Sequence, residues 1–371
     1  MMETNQVPVS LLDLGWGDES VLVICSQCDW RFVANPTAIP VECPHCHVGK
    51  LEHYQGQDYS MLEDFIKPPE LQLPFSFPYQ KLQEKIQTFA SGIPFAPDDL
   101  KVENITNRIS RFFIPMWLVD SQVSASWQAE CGFYYQAKSH QERYSGGRWQ
   151  TQEVIETRTR WEPRLGRLVR TYPNITAPAL NEHRQLMTAL GNYTFNQAIG
   201  VTPASILSNG QQEPNLVCIP GRDKDDAWPD TLPNFQQQAT TESKQACAAD
   251  EIREFNWTPE FSGQNWTLFL LPVWSSYYLD DENKPQSILV NGQTGQMSGA
   301  RRASMKKAKK ISLTILIVAL VILALTVAVG LLSVLVPGLM LLAGIGLFVS
   351  IIVALAAIFP IATVWGLNRK E

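Results

Sequence analysis

The sequence predicts an α+β fold in three consecutive parts, and three observations predict it. Two C-x2-C pairs stand near the N-terminus, a central stretch alternates apolar and polar residues with period two, and no charge occurs from Ile311 to Asn368. At roughly 100–200 residues per domain, a chain of 371 residues holds two or three units. Its net charge of −6 is a difference between unlike parts: residues 301–371 carry eight Lys and Arg against one acid, or +7, which leaves −13 for residues 1–300. So acidic a body cannot grip nucleic acid with its whole surface, because such binding neutralises phosphates with Lys and Arg.

After an N-terminal tail (1–19), the pairs Cys25-Ser26-Gln27-Cys28 and Cys43-Pro44-His45-Cys46, separated by the stretch from Asp29 to Glu42, fall in a segment assigned to 20–54. The spacing is close to that of a four-cysteine zinc ribbon. Each C-x2-C sets two thiolates on one tight turn, and two turns joined by a hairpin give the four tetrahedral sulfurs that structural Zn²⁺ prefers. Val21–Ile24 reads as the strand entering the first turn and Arg31–Val33 as the strand leaving it, with Val41 and Leu51 around the second. A unit of about 35 residues builds too small a core, so the metal is expected to supply its folding energy. Cys25, Cys28, Cys43 and Cys46 are thus the expected ligands of one structural Zn²⁺ per chain, with no position left for a catalytic water. A set of three cysteines and one histidine stays open through His45 and His47. The all-cysteine set keeps the ordinary ribbon spacing and leaves both histidines as exposed turn residues. Cys131, Cys218 and Cys247 are expected as buried free thiols.

Residues 55–98 read as a Pro-rich linker laid along a surface, interrupted by one amphipathic helix that aligns Leu82, Ile86 and Phe89 and ends at Gly92. The β-rich body is assigned to 99–299. From Arg111 to Gln136 the alternation of Val123, Ala125, Trp127, Ala129, Cys131 and Phe133 with polar residues predicts a half-buried strand. Partner strands are expected on either side of a turn at Pro163–Gly166. Helices are expected at 179–190, ending at Gly191, and at about 232–255, where Leu232, Phe235, Ala239, Cys247, Ile252 and Phe255 recur at helical spacing. Two strands then flank the acidic turn Asp280-Asp281-Glu282-Asn283. The segments FFIPMWLVD (112–120) and LFLLPVWSSYY (268–278) share an apolar strand broken by Pro before an apolar residue and Trp, a hint of duplication. Trp117, Trp127, Trp149, Trp161, Trp228, Trp257, Trp266 and Trp274, interleaved with Arg158, Arg160, Arg164, Arg167 and Arg170, admit base stacking, but such aromatics more often fill a sheet core beneath a solvated arginine face.

The uncharged run is long enough for two membrane helices at about 1.5 Å of rise per residue. Val336-Pro337-Gly338 breaks it, so the spans are placed at 311–335 and 339–366, the second running apolar to Val364, with a turn at 336–338 and a tail at 367–371. Pro360 is a candidate kink in the second. A basic collar at 300–310 precedes them: Arg301, Arg302, Lys306, Lys307, Lys309 and Lys310 are expected to fix topology and meet lipid headgroups. Arg369 and Lys370 follow the second span, so both termini are expected in the cytoplasm, with the chain in the cytoplasmic (inner) membrane.

Catalytic signatures are missing from the sequence. No G-x4-G-K-[ST] loop, H-E-x-x-H, G-x-S-x-G or kinase motif occurs. His53, His140 and His183 stand isolated, and Asp280 and Asp281 belong to a turn.

The ribbon motif CSQC…CPHC together with FIPMWLVD, LLPVWSSYY…ILVNGQTGQMSG, the collar and the terminal hairpin resembles a group of bacterial membrane-anchored zinc-ribbon proteins, often labelled primosomal protein N′-like or TFIIB-type zinc-ribbon proteins. The resemblance implies association with phage-shock-type and SPFH-domain envelope-stress proteins. The helicase label fits poorly without an ATPase motif. The expected function is therefore a non-enzymatic membrane adaptor or scaffold with a cytoplasmic protein-docking surface, its partners the lipid bilayer and such envelope proteins, with a homo-oligomer compatible. The alternatives are a membrane-tethered nucleic-acid-binding protein, disfavoured by a ribbon with only Arg31 and Lys50 against Asp29, Glu42 and Glu52, and an enzyme with an unrecognised site.

Overall fold

The computed structural model describes residues 10–17, 20–54, 65–207, 216–333, 335 and 337–369. The expected break at Val336, the tail residue Lys370, the first residues of the N-terminal tail and residues 55–64 of the linker lie outside them. The strands are β1 (Val21–Cys25), β2 (Arg31–Ala34), β3 (Leu51–His53), β4 (Leu71–Gln72), β5 (Ser110–Ser145), β6 (Arg148–Pro178), β7 (Ile199–Gly200), β8 (Leu216–Cys218), β9 (Glu251–Leu279), β10 (Pro285–Asn291) and β11 (Met297–Gly299). The helices are α1 (Tyr79–Ser91), α2 (Val102–Asn107), α3 (His183–Leu190), α4 (Pro203–Leu207), α5 (Lys224–Ala227), α6 (Leu232–Ala246), α7 (Met305–Leu332), α8 (Met340–Ala356) and α9 (Ile358–Asn368). All the strands join one mostly antiparallel sheet, whose main path runs β11-β10-β9-β5-β8-β2-β1-β3. The fold is thus mixed α+β, with a four-cysteine cluster near the N-terminus and two apolar helical segments at the C-terminus.

Several elements follow their sequence patterns. Helix α1 buries Leu82, Ile86 and Phe89 and ends at Gly92, and α3 ends at Gly191. Elsewhere the structure corrects the reading. The turn expected at Pro163–Gly166 is absent, because β6 runs unbroken through it. Pro163 is tolerated there because β6 is bonded only to β5, so its missing N–H leaves no ladder gap. The true turn is Gly146-Gly147, with φ of 63° and 82° between the paired Ser145 and Arg148, the two-residue hairpin in which both residues need positive φ. Replacing Gly147 with Val should cost about 1–2 kcal/mol locally, since an L side chain resists this conformation and no neighbour crowds the site. Faster amide exchange confined to the tip, with unchanged global melting, is the expected readout.

The helix expected to reach residue 255 stops at Ala246. Ile252 and Phe255 belong to β9, where a bulge at Glu254 (φ 52°) shifts the register between Gln128 and Glu130 of β5. The extra residue sets two inward side chains three apart and so imitates a helical period. Nor is 65–98 a surface linker. Leu71 and Gln72 pair with both β9 and β7, and Ile66 and Leu73 are fully buried. The ribbon segment is likewise no separate unit: β2 pairs with β8, and Trp30, Phe32 and Cys43 share one core with Phe112, Ile114, Cys218 and Phe269.

Strand pairing turns the hint of duplication into a pseudo-twofold axis. One constant shift along the chain carries Phe112, Pro115 and Trp117 of β5 onto Phe269, Pro272 and Trp274 of β9, and the axis passes through the Ile114–Leu271 pair. Neighbours obey it too. Parallel β8 lies against Phe112 and Phe113 while parallel β4 lies against Phe269 and Leu270, and the hairpin partners start at Met116 (β6) and Val273 (β10). Even a loop bond repeats, Arg222 N–H to the Ala179 carbonyl matching Phe77 N–H to that of Gly292. Each proline sits where its strand changes neighbour, between β8 and β6 or between β4 and β10, and there a lost donor breaks no ladder. The halves are exchanged: β4 precedes β5 in the chain but pairs with β9, and β8 precedes β9 but pairs with β5.

This symmetry gives the sheet two unlike ends. The β9–β10 turn lies at one end, where the Lys306 amide donates to Asp281 Oδ2 at 2.8 Å. At the other end β5 and β6 continue past Gly132, where β9 stops, as a two-stranded arm to Ser145 and Arg148. Helix α6 covers one face of the sheet below that arm, where Phe235 and Ala239 share a core with Val119, Val123, Leu168 and Tyr172.

The helical segments Met305–Leu332 and Met340–Asn368, 28 and 29 residues long, are each apolar enough to cross a membrane. The first begins ahead of the expected 311, so collar residues 305–310 form its first turns. In the second, α8 and α9 meet at Ala357, one turn before Pro360, whose ring and missing N–H interrupt the ladder there. The collar forms a socket with the body. Ser304 N–H donates to the Phe95 carbonyl at 2.8 Å, Lys307 Nζ reaches the Ala96 carbonyl at 2.6 Å, and Asn368 bonds both the N–H and the carbonyl of Ala303. Ala308 and Val364 are buried with Ile93, Leu100 and Tyr278, joining helix bases and body in one core.

Candidate metal centre

The turn after β1 carries Cys25 and Cys28, and the loop between β2 and β3 carries Cys43 and Cys46. Their four Sγ atoms lie within 4.8 Å of one another. Cys25 and Cys46 sulfurs are 3.6 Å apart and those of Cys28 and Cys43 3.8 Å. A tetrahedral ion bonded at about 2.3 Å needs sulfurs about 3.8 Å apart, whereas a disulfide needs about 2 Å. The cluster therefore fits a single tetrahedral cation, with Cys25 and Cys43 buried and Cys28 and Cys46 half-buried.

Backbone amides complete the site. N–H groups of Gln27, His45 and Gly49 donate to Sγ of Cys25, Cys43 and Cys46, each at 3.4 Å. Gly49 is a functional residue the spacing did not reveal. A Cβ there would stand 2.4 Å from Cys25 Sγ, so only glycine lets the second turn close on the first. Burial, reinforced by neighbouring sulfurs, pushes the Cys28 and Cys43 thiols up, Cys43 to about 12. Burial acts the same way on Cys46, but the amides of Gly49 and Val48 together with hydrogen bonds from Cys25 and Cys28 hold that thiol below its usual value. As thiolates, four sulfurs so close would need a cation to balance them.

The histidines are not exposed turn residues. His45 stacks on Trp30 at 3.7 Å and nearly parallel, and His47 is buried against Tyr277. Ser275 Oγ donates to the Pro44 carbonyl at 2.6 Å and so accepts from His47 Nε2 at 3.2 Å. Burial, with His45 nearby, pushes the His47 imidazole down to about 4, so it is neutral at pH 7. His45 braces the second turn against Trp30 of the first and His47 braces it against the body, where β9 supplies Ser275 and Tyr277, which no local pattern could have shown. A cleft of about 460 Å³ opens beside Cys28 between Trp30, Arg31, Leu180, Glu182 and Cys218.

The other predicted site residues are dispersed. Of the six collar cations, Lys306 bonds the Asp281 carbonyl, Lys307 pairs with Asp98 at 2.9 Å, and Arg301 lies over the Phe89 ring. The Arg302 amide donates to the Tyr278 hydroxyl, while the Lys309 and Lys310 side chains are exposed. Arg301, Lys306 and Lys307 thus reach protein groups with their side chains, although Arg301 and Lys306, like Lys309 and Lys310, are exposed. Cys218 and Cys131 are buried, but Cys247 is half-buried, and burial with Cys247 alongside raises the Cys131 thiol to about 11. Comparison of the chain with protein-family models, with curated proteins and with solved structures finds no match.

Proposed function

We propose that this chain is a membrane-anchored zinc-ribbon adaptor without catalytic activity, held in the inner membrane by α7 and the α8–α9 pair, both termini cytoplasmic. One observation carries the reading. The sheet is polar, with apolar helices socketed at one end and a β-arm projecting from the other. At about 3.3 Å per residue, β5 reaches as far as about 115 Å from that base, enough to display a docking surface well clear of the headgroups. Zinc is the ion of choice because four thiolates in a tetrahedron select it and leave no open coordination position. Its role is to pin the β1–β3 edge of the sheet. The docking partner is a protein, the phage-shock-type and SPFH-domain classes being those the sequence resemblance implies. Nucleic acid is a weaker fit: Arg158, Arg160 and Arg164 already pair with Glu156 and Glu162.

The test replaces residues 134–159 by an Asn-Gly turn joining the paired Phe133 and Arg160. The shortened chain should stay in the membrane fraction and keep one zinc per chain, yet lose the proteins that co-purify with the full chain from detergent. An unchanged set of co-purifying proteins, or none with either chain, would refute the reading.

A further inference from the structure

We infer that the arm is a self-association surface, packing face to face against the arm of a second copy of this chain. The two arm faces differ. Odd residues of β5 and even residues of β6 share one face, which between 133 and 165 carries Arg143, Arg148, Arg158, Arg160 and Arg164 against Glu156 and Glu162, a net +3. The opposite face carries Trp149 and Ile155 of β6 with Tyr134 and Tyr144 of β5, and is continued below the root of the arm by Leu165 and Val169 of β6, each of the six between 48% and 85% exposed. On the arm itself its charges nearly cancel, since Lys138 pairs with Glu153 at 2.8 Å and Glu142 alone is left over, while at the root Glu130 pairs with Arg253 and Glu251 meets the Tyr134 hydroxyl.

Three physical points select a second copy. A two-stranded hairpin standing alone is marginal in water, and this one runs from Phe133 to its tip at Ser145 with no support from β9, whose pairing ends at Gly132. The six exposed side chains offer roughly 700–800 Å², close to the roughly 800 Å² per partner of a standard interface. Charge fixes which faces meet. The near-neutral face can meet its own copy without repulsion, whereas the arginine face cannot. The arrangement also suits anchored chains, and here the inference rests on the proposed function. Two copies in one bilayer raise their arms in the same direction, so a twofold axis along the membrane normal sets Ile155 near Ile155 and Leu165 near Leu165. Such an isologous contact closes at two copies.

The experiment measures the mass of the full chain in detergent by light scattering at about 10 µM. The wild-type chain should be a dimer. The double variant I155E/L165E, altered only at exposed positions, should keep its circular dichroism and melting yet weaken the dimer at least roughly 100-fold and run as a monomer. R158S/R160S on the opposite face should remain dimeric. A monomeric wild-type chain, or an I155E/L165E chain that stays dimeric, would overturn the inference. So would a monomer whose arm binds phosphatidylglycerol vesicles through Ile155 and Leu165. A monomeric I155E/L165E chain that still recovers the protein partner would leave both proposals standing, with partner and second copy on separate surfaces.

Discussion

Replacing Cys25 with Ser is expected to release about one equivalent of metal per chain and to lower the melting temperature of the whole body, not of an isolated ribbon. The free energy that structural zinc supplies to a small peptide is of order 10 kcal/mol. Here part of it is already provided by packing, because Trp30, Phe32 and Ala34 lie in the same core as Phe112, Leu216 and Cys218. The loss should therefore be several kcal/mol, read by thermal melting beside metal analysis. It should spread along β2 into β8 and β5, visible as faster amide exchange at 112–118 and 216–218 while the apolar helices keep their protection. Full retention of metal by the variant would reject the four-cysteine site. A single sharp loss confined to 20–54 would reject the shared core.

The pseudo-twofold axis makes the second large effect a paired one. Phe112→Ala and Phe269→Ala remove fully buried rings at equivalent places beside the Ile114–Leu271 pair. Truncating a buried Phe costs about 3–5 kcal/mol, so each variant should fall in that range and the two should agree within about 1 kcal/mol. The double variant should depart from additivity, since Phe112 and Phe269 share one core. Chemical denaturation of the detergent-solubilised chain supplies the numbers. A difference of several kcal/mol between the single variants would show that the halves are alike in pairing but not in energy.

What the sequence disclosed and what it hid divide by range. Cysteine spacing, the uncharged run after Lys310 and the Leu82, Ile86, Phe89 face are local patterns, and each fell where it was expected. Leu71-Gln72 was hidden because so short a strand cannot display a period, and its partners Phe269 and Leu270 lie far along the chain in β9. Ile252 and Phe255 misled because a bulge imposes a spacing of three on a strand. The metal centre was legible in its ligands and not in its supports: His47 and Ser275 meet across 228 residues, and Gly49 matters only because Cys25 folds back beside it. The collar cations read correctly as charge and the Asp280–Asn283 turn as a turn, but that Lys306 meets Asp281 and Lys307 meets Asp98 is set by the tertiary fold and not by any local pattern.

The exchange of strands between halves sets a timetable for biosynthesis. At about 5–20 residues per second, β9 leaves the ribosome roughly 10–40 s after β4, and until then β4 and the Phe112–Trp117 stretch have no mate along one whole edge. Neither half can close early, because each lends its short strand to the other. The nascent chain must leave the β9-facing edge of its first long hairpin uncovered until β9 itself has been made. Any truncation before β9 is complete strands apolar edges that only aggregation can cover.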